Sequence, residues 1–130
     1  MTEVAITIYN EARGDGENGM RAVAHVIYNL INYKCPKEKC GSNHGLKSWQ
    51  RAFDGHSTTP PKITATPKQN SDDEKAWKFA QSLTLSAGQG GATHFQRQKW
   101  PANKYEDKGQ VGKHYFAREN KHVVGVHFCF

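Results

Sequence analysis

The chain lacks an apolar run near the roughly 18–20 residues that a membrane helix needs, so no transmembrane segment is expected. It has only three cysteines, Cys35, Cys40 and Cys129, and an odd count argues against a disulfide scaffold. Cys35 and Cys40, with His44 close behind, have the look of half a zinc site, but no second pair stands at ligand spacing. There is no HExxH helix and no GxSxG elbow. The run Gly88-Gln89-Gly90-Gly91 fits neither GxGxxG nor GKS/GKT, so it is a poor phosphate loop. Positive charge is in excess, at a net +6, yet it is nowhere gathered into a block of five or six. Such a chain is drawn to anionic polymers but carries no evident nucleic-acid tail. The first residues show no basic segment followed by an apolar core, so the expectation is synthesis in the cytoplasm without a signal peptide.

What is present suits a single domain over residues 1–130, long enough to bury a core. Three Trp, five Tyr and six Phe supply large side chains for that core or for a groove. Val4, Ala5, Ile8 and Ala12 mark one face of a first helix over about Glu3 to Arg13. Met20, Val23, Ala24, Ile27 and Ile31 mark a second, with Asn18 as its N-cap and an end near Tyr33. Residues 34 to 70 show little pattern apart from a short helical turn at Trp49 to Phe53. Ser71-Asp72-Asp73-Glu74 reads as a capping box that opens a third helix, ending by Ala87. Ala92 to Phe95 and Val111 to Ala117 read as short extended pieces, Lys99-Trp100-Pro101 as a loop, and Val123 to Phe130 as a strand entered by a turn at Glu119-Asn120. The expected class is α+β, mainly helical with a small antiparallel β element.

Seven scattered histidines and a lysine-rich cysteine loop give no compact metal or nucleophile motif, which leaves carboxyl chemistry. Glu11 lies at the end of the first apolar pattern, just before a helix-stopping Gly14. A carboxyl at the wall of a cleft, half in apolar surroundings, is where a general acid for neutral pH is made. Glycosidases generally use two carboxyls, and Asp54 and Asp15 are the candidates for a second. Arg13 beside Glu11 would oppose the acid form if it were close, so it is expected to point away.

Several blocks together resemble the cell-wall hydrolases of the spore cortex-lytic (SleB/CwlJ) type. They are Ile8-Tyr9-Asn10-Glu11-Ala12-Arg13-Gly14, the run from Gly19 to Asn29, Gln50 with Phe53, Gly91 to Phe95 with Trp100, and Gly112-Lys113-His114-Tyr115-Phe116. Their order is kept over roughly residues 4 to 118. Two positions depart from the family pattern: Asp15, where it usually has Glu, and Leu30, where it usually has Arg. The stretch from Cys35 to Pro67 is also longer and more polar than the family's.

The resemblance implies a lysozyme-like fold and action on the glycan strands of peptidoglycan. Glu11 would be the acid/base of a lytic transglycosylase or muramidase, needing no metal and no cofactor. Gln50, Phe53, His94, Phe95, Trp100 and His114 become the candidate substrate contacts. The expected partner is peptidoglycan, not nucleic acid, met by a monomer acting on the bacterial cell wall, as a phage endolysin or secreted effector does. Two other classes stand beside this one: a zinc-dependent amidase cutting the stem peptide, and a non-catalytic basic module that binds glycan or nucleic acid.

Overall fold

A computed structural model describes residues 2–32, 49–63 and 67–119, without the side chains of 51, 67–70 and 119. The expected strand from Val123, most of the turn before it, and Cys35, Cys40, Cys129 and His44 lie outside the described residues. Within them the chain is α+β: three helices and a three-stranded antiparallel sheet. Among them no helix is long and apolar enough to cross a membrane.

Helix α1 spans Thr2–Ala12 and is the centre of the packing. Beyond the expected face, Ile6, Thr7 and Tyr9 are buried as well, so the helix is enclosed nearly all round. The buried Thr7 hydroxyl is satisfied, because Oγ1 donates to the Glu3 carbonyl at 2.9 Å. A single 3-10 turn, Arg13–Asp15, leads into α2, Gly16–Ile31. The start differs from the expected N-cap: Asn18 lies inside α2 and accepts from Arg21 at 3.1 Å. Met20, Val23, Ala24 and Ile27 are buried as their spacing predicts, but Ile31 is 46% exposed. Val26 and Leu30 are the buried residues at that end instead.

Helix α3 spans Pro67–Ser82. The Ser71 box therefore sits a turn inside the helix and caps nothing. Proline is pre-set for the first helical position, where its missing N–H is no loss, and it starts this helix earlier. Ala76, Trp77, Phe79 and Leu83 pack on the core, and Trp77 meets Tyr9 of α1 edge-on at 5.8 Å. The helix stops at Ser82, short of Ala87.

Strands β1 (His94–Gln96), β2 (Tyr105–Val111) and β3 (His114–Glu119) order as β1-β3-β2. The expected single extended piece from Val111 to Ala117 is instead the tight end of a hairpin. Val111 pairs with His114, and Gly112 turns the chain at φ 58°. On the other side of β3, Phe95 pairs with Phe116 and His94 with Ala117. Polar residues of α2 staple the segment before β1. Asn29 Nδ2 donates to the carbonyls of Gly88 and Ala92 at 3.1 and 2.9 Å, and His25 Nδ1 lies 2.8 Å from the Ser86 carbonyl. The sheet is thereby held against α2, facing the end of α1.

Candidate active site

Where the end of α1, the Phe53–Gly55 turn, α2 and the sheet meet, they leave a cleft of about 310 Å³. Glu11, Phe53, Asp54, His94, Phe95, Trp100 and His114 all line it. Residues that arise from four separate parts of the sequence are thus brought to one wall. Val26 and Leu30 add apolar lining from α2.

Glu11 is half-buried. Its Oε1 accepts the Gly55 N–H at 2.6 Å, and Asn10 Nδ2 donates to the Gly55 carbonyl at 2.8 Å. Two neighbouring side chains of α1 thus grip both backbone polar groups of one residue of the turn. The approach requires a glycine, since a Cβ at 55 would lie 2.8 Å from Glu11 Oε1 and 3.0 Å from Asn10 Cβ. Arg13 is engaged elsewhere: it donates to the Tyr9 hydroxyl at 3.0 Å and lies 4.0 Å from Asp73 of α3. The hydrogen bond to Tyr9, with the Asp73 charge behind it, holds the guanidinium still more firmly protonated.

The aromatic residues are fixed as two groups. Phe95 stacks on Phe116 at 5.7 Å, with Phe53 at 5.6 Å and His114 edge-on at 5.2 Å. Trp100 packs on Tyr105 at 4.6 Å and donates its Nε1–H to the Tyr115 carbonyl at 2.8 Å. His94 lies edge-on to both Trp100 and Tyr105, with Nδ1 2.9 Å from Thr93 Oγ1. Burial pushes the His94 pKa down to about 4, so this ring is neutral at neutral pH.

Two of the expected residues stand apart. Gln50 does not line the cleft; its amide donates to Glu3 Oε2 at 3.1 Å. That bond, followed by one from His56, holds the Glu3 carboxyl below its ordinary range. Asp15 turns to His114: Oδ2 lies 2.5 Å from Nδ1, and Oδ1 accepts the Lys113 N–H at 3.2 Å. Its side chain is 5% exposed. A Cβ at Gly19 would collide with the Asp15 side chain, and one at Gly112 would come within 2.8 Å of Oδ1. Asp54 is on the cleft wall and exposed.

Sequence reasoning passed over Thr93, Gln96 and Arg97, which also line the cleft. Arg97 follows β1 directly and adds a cation to the wall, but one charged residue in a polar segment carries no signal of its own. Gly55 and Asn10 were also passed over, since the grip on Glu11 joins residues 44 and 45 positions apart. Among the described residues no three His, Cys, Asp or Glu side chains gather where they could hold a metal ion. Compared with protein-family models, curated proteins and solved structures, the chain matches none.

Proposed function

We propose that this protein cleaves the glycan strand of peptidoglycan, with Glu11 as its general acid/base, on a lysozyme-like arrangement of helices and a small sheet. One observation carries the reading. A single half-buried carboxyl, steadied by a backbone N–H, lines a cleft that Phe53, Phe95 and Trp100 also line. Sugar rings present apolar faces to aromatic side chains, and Trp100, Phe53 and Phe95 are placed for that contact. The ordered blocks that resemble the spore cortex-lytic hydrolases point to the same polymer.

In this reading Glu11 protonates the glycosidic oxygen as the bond to the anomeric carbon breaks. If the muramoyl 6-hydroxyl then closes on that carbon, the product is a 1,6-anhydro end, as in a lytic transglycosylase. If water attacks, the end is reducing; Asp54 is a second, exposed carboxyl on the same wall. Asp15 is committed to His114 and is not free for that role. The net charge of +6 favours an anionic wall polymer as substrate.

Purified peptidoglycan incubated with the wild-type protein and with Glu11→Gln, followed by mass spectrometry of the fragments, tests the reading. Anhydro-muramoyl ends that disappear in the variant support transglycosylation at Glu11. Reducing ends that disappear support hydrolysis. Cleavage at the stem peptide, or full activity in the variant, overturns it.

A further inference from the structure

His114 is the most deeply buried ionisable residue lining the cleft, 8% exposed. Its Nδ1 is occupied by Asp15, and Asp15 itself does not line the cleft. Among the described residues Nε2 has no hydrogen-bond partner. A ring nitrogen on a cleft wall that has no protein partner is left for a ligand atom. The ring belongs to the wall of the same cavity as Glu11, and a ligand atom in that cavity is the partner that would satisfy it.

Asp15 is fixed on both carboxylate oxygens, one of them at this ring. The carboxylate is closed in by Gly19 and Gly112, fixed by the Lys113 N–H, and directed at Nδ1. A carboxylate on Nδ1 selects the tautomer with the proton there and leaves Nε2 as a bare acceptor. It also stabilises the imidazolium that forms if Nε2 takes a proton. The Asp and the His come from opposite ends of the described chain, and the Gly112 turn brings them together.

We infer that His114 is the general base of the cleft and that Asp15 is its positioning residue. The inference rests on the reading of Glu11 as the general acid. The base half of the reaction passes to His114, and the acid half stays with Glu11. In the balanced step, the bond between the anomeric carbon and the glycosidic oxygen breaks, and Glu11 gives its proton to that oxygen. The attacking hydroxyl, from the substrate's own 6-position or from water, bonds to the same carbon and gives its proton to His114 Nε2. The enzyme is left with a Glu11 carboxylate and a His114 imidazolium against Asp15. One proton passed between them through solvent restores the starting state. No oxidant, metal or further reactant is involved.

The test uses the full chain on purified peptidoglycan, with turnover and KM measured for wild type, Glu11→Gln, His114→Gln and Asp15→Asn. His114→Gln is expected to lower kcat by about a hundredfold to ten-thousandfold, the usual worth of a general base, with KM within about threefold. Asp15→Asn is expected to lower kcat by about tenfold or more with the same KM, since an amide on Nδ1 no longer selects the tautomer. A His114→Gln enzyme within threefold of wild type, while Glu11→Gln is inactive, overturns the inference and leaves the Glu11 reading standing. Full activity in Glu11→Gln overturns that reading instead. Nitrogen-15 NMR of the wild-type His114 ring at pH 8 needs no variant to fold. A proton on Nδ1 and a bare Nε2 support the inference, and the reverse tautomer contradicts it.

Discussion

Glu11 and Asp15 are four residues apart in the sequence, and their surroundings are opposite. Glu11 takes one backbone N–H and keeps the rest of its carboxyl on an open cleft wall. Asp15 is enclosed by two glycines, an N–H and an imidazole, with 5% of its side chain exposed. The first carboxyl is placed to meet a ligand and the second to hold a residue that does. Both are carboxylic acids of the same formal charge, and what separates their surroundings is the long-range packing that reaches each. For Glu11 that is a turn near residue 55, and for Asp15 a hairpin near residue 113.

Removal of the enclosed carboxylate should have the largest effect on stability. Asp15→Ala leaves a buried ring without its partner and a void between Gly19 and Gly112, at a cost of about 3 kcal/mol. At this chain length that is a fall of about 10 °C in melting temperature, read by calorimetry. A fall below about 2 °C would erase the contrast between the two sites.

The two cleft histidines sharpen the contrast. His114 sits on a carboxylate, whereas His94 is buried among rings with its pKa pushed down to about 4. In the unfolded chain that imidazole titrates near its ordinary value of about 6.5. Between these two values the unfolded state binds the extra proton, so stability rises as pH is raised from 4 to 6.5 and is flat in this respect above. Allowing for the ring's partial exposure, the contribution is about 2 kcal/mol at neutral pH. Urea unfolding across that window should show a shallower rise in His94→Gln than in wild type. Parallel curves would remove His94 as the source.

A smaller effect is expected at Gly55. The alanine Cβ comes closest to the end of the flexible Glu11 side chain, with Asn10 Cβ at 3.0 Å, so the Glu11 carboxyl is what shifts most. Gly55→Ala should lower turnover about tenfold, as misplacement of a catalytic group does, with a melting temperature close to wild type. Unchanged turnover would mean that the N–H of this turn does not set the position of Glu11.

The helices were legible because apolar spacing survives in α1 and α2, where every residue it marks except Ile31 is buried. Ile31 and the Ser71 box were misread for one reason: local pattern extends past the point where tertiary contact ends or begins. Strand β2 was not legible at all. In Tyr-Glu-Asp-Lys-Gly-Gln-Val no residue is fully buried, so there is no buried face to produce alternation. It carries an irregularity between Asp107 and Gln110, where Gly109 adopts φ 97° and donates its N–H to Asp107. The Asp-x-Gly spacing there was the available signal. In the cleft, seven of the nine candidate residues came together, and the two that did not, Gln50 and Asp15, are held by partners 47 and 99 residues away.

The most direct test of the division between the two carboxyls is Glu11→Gln, with glycan cleavage and melting temperature measured on the same preparation. An open catalytic carboxyl predicts that cleavage is lost by about a thousandfold or more while the melting temperature stays within about 2 °C of wild type. Cleavage retained, or a melting temperature lowered as far as in Asp15→Ala, would contradict the account.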